Sequence, residues 1–337
     1  MPLTLPFRAF PLLANRHAQT IVASQVYLPL EPPSRTRLVQ LPDGDQVALE
    51  VSTPGRWQAD AVTVILVHGL CGCHRSPYMM RLARKLWRRG VRVVRLNLRG
   101  CGSGKGLARQ PYHSGRSEDV LAVLDDLRQA TPQSPMTLLG FSLGGNIALK
   151  LAGELQAAAA TYLRQVIAVC PPADLAACAR LLAQPANRLY ERRFVRLLRA
   201  DVLDRHARFP DLPRVELPER LSLYAFDNLY TAPQCGFRHA DDYYVRCSAA
   251  PLVPQITIPC HILFAADDPM IDVTVFNGVD LPPTVQIMYT TRGGHLGFLG
   301  IPGRPGGYRW LDTLLLEWMG ALHRRGLLWQ QAVGDMP

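Results

Sequence analysis

LLGFSLGGN, residues 138–146, runs from apolar residues into glycines and carries one serine, Ser142, where the two meet. Its centre, GFSLG, fits the pattern Gly-x-Ser-x-Gly, which places a serine on a sharp turn between a strand and a helix. Gly140 and Gly144 would remove side chains where the backbone turns tightly. The alternative is a small residue that only fills a turn, because so short a pattern also occurs by chance. The secondary structure predicted on either side of Ser142 is needed to decide between a nucleophile and a turn residue.

The flanking sequence alternates between short β-branched runs and longer helical segments, which is typical of parallel strands joined by crossover helices. Strands are predicted at 62–68, 91–98, 136–140, 166–172, 260–268 and 285–290. Helices are predicted at 77–89, 117–129, 143–155 and 308–324, with strands near 37–50 as an antiparallel edge. The alternation stops over residues 173–255. We therefore predict one α/β sheet domain built from 1–172 and 256–337, with 173–255 as an inserted helical lid.

A hydroxyl nucleophile needs a base, and the base needs an acid that orients it. On sheets of this kind the order along the chain is serine, acid, histidine. Asp267 and Asp268 follow a predicted late strand, and His295 lies in the glycine-rich loop RGGHLGF after the next one. Together with Ser142 these residues predict a Ser-His-Asp constellation, in which the acid is one of the two aspartates.

Acyl transfer at a serine also needs donors for the developing oxyanion. The amide of Leu143 lies at the start of the helix after Ser142, and VHGL at 67–70 offers Leu70 as a second donor. His68 in that loop is interpreted as a residue that shapes the turn.

Several motifs occur together in this chain: NRHAQTI (15–21), HGL (68–70), LNLRGCGSG (96–104), YHSGRSEDV (112–120), GFSLGGN (140–146), FDNLYTAPQCGFRHADDYY (226–244), ADDPMI (266–271) and GGHLGF (293–298). With this set the chain resembles the α/β-hydrolases, and within them the YheT-like esterase and lipase branch, which is related to eukaryotic abhydrolase lipases and yeast medium-chain acyltransferases. The resemblance implies an α/β-hydrolase fold with a mostly parallel central sheet flanked by helices.

The resemblance also implies roles for individual residues. It makes Ser142 the nucleophile, His295 the general base and Asp268 the orienting acid, with Leu143 and Leu70 donating backbone hydrogen bonds. Members of the family act on esters of short or medium acyl chains or on glycerolipids. No cofactor and no metal are implied. Eukaryotic relatives often carry an N-terminal membrane anchor, which we do not expect in this chain.

Composition narrows the class of protein. Apolar residues make up 48% of the 337, enough for a sizeable core, and no apolar run is long enough to span a membrane. The N-terminus is broken by prolines and arginine, unlike a signal peptide, so we expect a cytoplasmic protein. The eight cysteines form no Cys-x-x-Cys pair, and CGCH at 71–74 has no second cluster to complete a zinc site.

Other loops offer rival chemistry. RGCGSGKG (99–106) has neither the Walker nor the dinucleotide spacing, because Gly106 follows Lys105 where a Walker loop needs Ser or Thr. His113 in YHSG is interpreted as structural, and the acids of HADDYY as a solvated turn rather than a metal site. The net charge of +10 is a weak signal, and no nucleic-acid partner is predicted.

Arginine is concentrated in the predicted lid. Residues 180–208 hold eight arginines against three acids, and Arg188, Arg192, Arg196 and Arg199 recur at helical spacing. This pattern fits either a solvated basic face or a face that meets anionic membrane surfaces.

Three functions are compatible with these features. The first is a serine carboxylesterase or lipase acting on a small-molecule or lipid ester. The second is an acyltransferase, in which an alcohol replaces water in the second half-reaction. The third is a noncatalytic relative that only binds a ligand. The oligomeric state and the preferred acyl length do not follow from the sequence.

Overall fold

The computed structural model describes residues 3–25 and 31–320. Within these residues one sheet is formed by β1 (Leu3–Thr4), β2 (Arg35–Gln40), β3 (Gln46–Ser52), β4 (Thr63–Val67), β5 (Arg92–Asn97), β6 (Met136–Phe141), β7 (Leu163–Val169), β8 (Cys260–Ala265) and β9 (Val285–Thr290). Their order across the sheet is β1-β9-β8-β7-β6-β4-β5-β3-β2. The predicted α/β architecture is confirmed.

Most neighbouring strands are parallel. Only the β2–β3 and β3–β5 pairs are antiparallel among the strands described, so the antiparallel edge predicted near 37–50 is confirmed. Every residue of β4, TVILV, is buried, as expected for a central strand covered on both faces. The two-residue strand β1 pairs with β9 at the opposite edge, which the sequence analysis did not predict.

The helices follow the crossover pattern. They are α1 (Arg16–Gln25), α2 (Pro77–Arg88), α3 (Ser117–Ala130), α4 (Leu143–Leu155), α5 (Leu175–Leu182), α6 (Arg188–Arg208), α7 (Leu223–Phe226), α8 (Ala232–Gln234), α9 (Ala240–Cys247) and α10 (Trp310–Trp318). The chain crosses the sheet in one direction through α2 and in the other through α3 and α4. Because such crossovers are right-handed, α2 lies on one face and α3 and α4 on the other. In agreement, α2 contacts α1 and α10, while α3 contacts α4.

The last helix is shorter than predicted. It was expected over 308–324, but α10 ends at Trp318. Gly320 has a φ of 66°, a left-handed conformation that commonly follows a helix end. Residues 321–324 of the prediction lie outside the described residues.

Residues 173–255, called here the inserted segment, connect β7 to β8. They carry α5 to α9 and a π-helical turn at Asp227–Thr231, followed by a 3-10 helix at Ala250–Gln255 that contacts α4. The first described strand after β7 is β8. Among the helices in the described ranges, none combines the length and the apolar character needed to cross a membrane.

Candidate active site

Ser142 occupies a strained turn between β6 and α4. Its φ of 50° and ψ of −123° are rarely adopted by residues with a side chain, and such conformations cost about 1–3 kcal/mol. The two flanking glycines make the turn possible. A Cβ on Gly140 would collide with the carbonyl of Gly144, and a Cβ on Gly144 would lie 2.5 Å from the carbonyl oxygen of Val67. The local sequence therefore holds the serine hydroxyl out at the start of α4.

Ser142, His295 and Asp268 form one hydrogen-bonded chain. His295 Nε2 lies 2.9 Å from Ser142 Oγ, and Nδ1 lies 2.8 Å from Asp268 Oδ2. A carboxylate can only accept, so Nδ1–H donates to Asp268 and Nε2 is free to accept the serine proton. Each residue follows a parallel strand at its carboxyl end, which explains how positions so distant in sequence meet.

The neighbouring aspartates have different partners. The Asp268 side chain is fully buried, and its Oδ1 accepts from the amides of Met270 at 2.9 Å and Ile271 at 3.3 Å. Asp267 Oδ1 instead accepts from the amide of Gly294, the residue before His295, at 2.9 Å. Burial raises the pKa of Asp267. Asp268 thus contacts the imidazole, whereas Asp267 holds the loop that carries it.

A residue of α1 supports the histidine from its backbone, and the sequence analysis assigned it no role. The amide of His295 donates to Thr20 Oγ1 at 2.8 Å, and Thr20 in turn donates to the carbonyl of Arg16 at 2.8 Å. The side chain of Gln19 donates a hydrogen bond to the carbonyl oxygen of Leu299 at 3.0 Å and accepts one from its amide at 2.7 Å. The motif NRHAQTI marked this segment, but nothing local in the sequence connects it to a loop 275 residues away.

The two predicted oxyanion donors border Ser142. Leu143 is the first residue of α4, so its amide has no intrahelical acceptor. In the loop after β4, the amides on either side of Leu70 donate to tyrosine hydroxyls: Gly69 to Tyr78 at 2.9 Å and Cys71 to Tyr112 at 3.0 Å. The Leu70 amide makes no hydrogen bond within the described part of the chain. Leu70, Leu143 and Ser142 line one cavity.

His68 uses both ring nitrogens in structural contacts. Nδ1 lies 2.8 Å from the carbonyl oxygen of Gly69, and Nε2 accepts from the amide of Leu98 at 3.1 Å. Burial lowers the pKa of His68 to about 4, so the ring stays neutral. These contacts shape the loop that carries Leu70.

Two cavities meet at Ser142. The first, called here the deep cavity, runs from Ser142 beneath the inserted segment; its apolar wall includes Leu175, Leu182, Leu198, Leu223, Met270 and Ile271. One carboxyl group lies in this wall: Asp227 accepts from Thr231 Oγ1 and from Tyr244 OH, each at 2.7 Å. Burial raises the pKa of Asp227 to about 6.

The second, called here the basic cavity, lies between α1, the start of α2 and α6. Both cavities are bordered by Leu70, Ser142, Phe194, Met270 and His295. Substrate groups in the two cavities would therefore reach the same hydroxyl from different sides.

Cys170 lies close enough to Asp268 and His295 to raise the question of a metal. One donor atom from each lies within 4.8 Å of the others. Burial raises the pKa of Cys170 well above its usual range, and a protonated thiol is a poor ligand. The Asp268 and His295 atoms are also bonded to each other. These three residues therefore do not fit a metal.

The rival loops have structural partners. In CGCH, His74 Nδ1 lies 2.9 Å from Asn97 Oδ1. In RGCGSGKG, the Arg99 guanidinium donates two bonds to the Asp119 carboxylate at 2.7 and 2.6 Å. His113 Nδ1 accepts from the amide of Gly115 at 3.1 Å, and burial lowers its pKa well below the usual value.

Comparison with known proteins shows the family of this chain. Residues 62–275 match the family described as alpha/beta hydrolase fold. The chain belongs to this family. The Escherichia coli K12 protein named "Putative esterase YheT" is 31% identical over 324 residues, which cover 94% of this chain and 92% of that protein. The resemblance to the YheT-like branch of α/β hydrolases is confirmed.

A further relative and a solved structure are also similar to this chain. The human protein named Phospholipase ABHD3 is 25% identical over 304 residues, 87% of this chain and 73% of that protein. Among solved structures, Est1E from Butyrivibrio proteoclasticus with ferulic acid bound has a TM-score of 0.56 at 16% identity, over 84% of this chain and 97% of that chain. At that identity the structural likeness shows the fold alone. The chain is an α/β hydrolase of the esterase and lipase type.

Proposed function

We propose that the protein is a serine carboxylesterase or acylglycerol lipase that hydrolyses short- to medium-chain acyl esters through an acyl-enzyme. The observation that carries this proposal is the hydrogen-bonded chain from Ser142 through His295 to Asp268, in which each atom has the partner that nucleophilic catalysis needs.

The reaction would proceed in two halves. Ser142 Oγ attacks the ester carbonyl and its proton passes to His295 Nε2, while the oxyanion accepts hydrogen bonds from the Leu143 and Leu70 amides. Asp268 orients the imidazole and stabilises its charged form. The alcohol leaves with the proton from His295. Water then attacks the acyl-enzyme in the same way and releases the acid.

The inserted segment would act as the lid of this site. Its helices supply most of the apolar wall of the deep cavity, for example Leu175 in α5 and Leu198 in α6. An acyl chain placed there would be removed from water while its carbonyl stays beside Ser142. The depth of this cavity would then set the preferred chain length.

Labelling with a fluorophosphonate probe tests the proposal most directly. The parent protein should be labelled at Ser142 and should hydrolyse a series of acyl esters from two to sixteen carbons with a maximum at short or medium length. Product analysis with and without added alcohol separates hydrolysis from acyl transfer. A folded protein that neither reacts with the probe nor cleaves any ester of the series would contradict the proposal.

The outer face of α6 would bring this site to anionic membrane surfaces. Arg188, Arg192, Arg196 and Arg199 line one groove, together with Arg220 and the acids Glu191 and Glu219. Leu189 and Leu203 project from the same helix and are 75% and 70% exposed. Leu203 lines the same groove as the arginines, whereas Leu189 borders the basic cavity. An exposed leucine among basic residues favours a lipid surface over a purely aqueous one.

Vesicle cosedimentation tests this contact. The parent should bind vesicles that contain anionic lipid at low salt and lose binding at high salt, because each basic residue near such a surface contributes roughly 1 kcal/mol that salt screens. Changing Arg188, Arg192, Arg196 and Arg199 together to Gln should weaken binding at least about tenfold.

A matched variant controls for net charge. Four exposed arginines outside the inserted segment, Arg8, Arg35, Arg164 and Arg304, can be changed to Gln with the same loss of charge. This control should bind nearly as well as the parent. Equal binding by the α6 variant, or no salt-sensitive binding by the parent, would show that α6 only covers the pocket.

A further inference from the structure

The two cavities that meet at Ser142 differ in charge. The described residues that line the basic cavity include Arg81 and Arg193 and no Asp or Glu. Those that line the deep cavity include Asp227 and no Arg or Lys. Since both cavities reach the same hydroxyl, the two halves of an ester bound there would meet walls of different charge.

Arg81 is held in place with hydrogen-bonding capacity left over. It donates to both carboxylate oxygens of Asp312, at 3.2 and 3.3 Å, and its side chain is 13% exposed. Lys85 binds the same carboxylate at 2.8 Å, so two cations share one anion. Among the described residues, Arg81 Nη1 has no hydrogen-bond partner. Arg81 therefore contributes a fixed positive charge to the wall of the basic cavity.

Arg193 faces this cavity from α6. It is exposed and makes no ion pair with a carboxylate within the described part of the chain. Planar guanidinium groups match the oxygens of phosphate and carboxylate better than a lysine ammonium does. Arg193 and Arg81 therefore place two positive charges in the wall of the basic cavity. Arg81 is paired with Asp312, and Arg193 has no carboxylate partner among the described residues.

We propose that the natural ester carries an anionic group, a phosphate or a carboxylate, on its alcohol half, and that Arg193 and Arg81 bind this group in the basic cavity. The inference rests on the proposed esterase function. The acyl chain then occupies the deep cavity, where the Asp227 carboxyl would repel an anion. Hydrolysis with water then gives a fatty acid and an alcohol that carries the anionic group.

Two esters that differ only in the anionic group test the idea. They are the octanoyl ester of glycerol 3-phosphate and 1-octanoylglycerol, both assayed as monomers below the concentration at which they aggregate. The parent should have the higher kcat/KM for the phosphorylated ester. Arg193→Gln should reduce the ratio of the two kcat/KM values at least about tenfold, which corresponds to about 1.4 kcal/mol.

Arg214→Gln is the matched control, since Arg214 is an exposed arginine of the inserted segment that borders neither cavity. It should leave the ratio unchanged. Arg81 is not the first choice for substitution because it also pairs with buried Asp312. A second measurement avoids that problem: glycerol 3-phosphate should inhibit the parent competitively, and Arg193→Glu should weaken this inhibition.

The outcomes of these assays distinguish the source of the anionic group, the charge-based inference and the esterase function. Preference for the phosphorylated monomer in solution supports a soluble anionic ester as the source, whereas preference seen only with the ester in neutral vesicles supports a lipid headgroup. Hydrolysis of both esters at equal kcat/KM, unchanged by Arg193→Gln, would overturn the inference and leave the esterase function standing. Failure of the parent to cleave either ester, while it still hydrolyses other esters of the acyl series, would overturn the inference alone. Failure on every ester, together with no labelling by the fluorophosphonate probe, would overturn both.

Discussion

Ser142→Ala is expected to lower kcat/KM for ester hydrolysis at least about a thousandfold while the protein stays folded. The hydroxyl makes the bond that defines the reaction, and its hydrogen bond to His295 is the contact that would activate it. The position tolerates a small residue, so alanine should not disturb the turn. Steady-state kinetics on an octanoyl ester, with thermal unfolding as the check on folding, measures both effects.

Ser142→Gly provides the control for strain. Glycine adopts the backbone angles of Ser142 without steric cost. The free energy of unfolding of Ser142→Gly should therefore be about 1 kcal/mol higher than that of Ser142→Ala. It should be equally inactive. Turnover by a folded Ser142→Ala protein within tenfold of the parent would remove Ser142 from the mechanism.

Asp268→Asn is expected to lower kcat at least about a hundredfold. When the asparagine oxygen keeps the hydrogen bonds from the Met270 and Ile271 amides, its NH2 group faces His295 Nδ1 and can only donate there. The imidazole would then be driven toward the wrong tautomer, and its charged form would lose a counter-ion. The side chain would still fill the same volume, and Oδ1 could still accept from the amides of Met270 and Ile271. The comparison of kcat with the unfolding temperature separates catalysis from stability.

Asp267→Asn is the matched variant one residue upstream. Its Oδ1 would keep the hydrogen bond from Gly294, so the loss of activity should be several times milder than at Asp268. The opposite order of effects would assign the orienting role to Asp267 instead.

Most of the fold was predictable because its signals are local. A buried parallel strand such as β4 is a continuous apolar or β-branched run, and the start of a helix can be marked by a residue such as Pro77. The elements that were missed lack such signals. The two residues of β1 are too few to show a period. Helix α10 ends at Trp318, shortly before Gly320, whose left-handed backbone conformation no hydrophobic pattern records.

The sequence by itself determined the order of most elements and the serine turn, since each depends on neighbours within a few positions. It predicted Ser142, His295 and one of two adjacent aspartates for catalysis, and only the family resemblance favoured Asp268. Only the tertiary structure decided which oxygen of Asp268 contacts His295 and that Thr20 holds the histidine backbone. It also decided that two cavities of different charge meet at Ser142. These features arise where segments far apart in the chain pack together, and distances across such contacts are set by the whole sheet and its inserted helices.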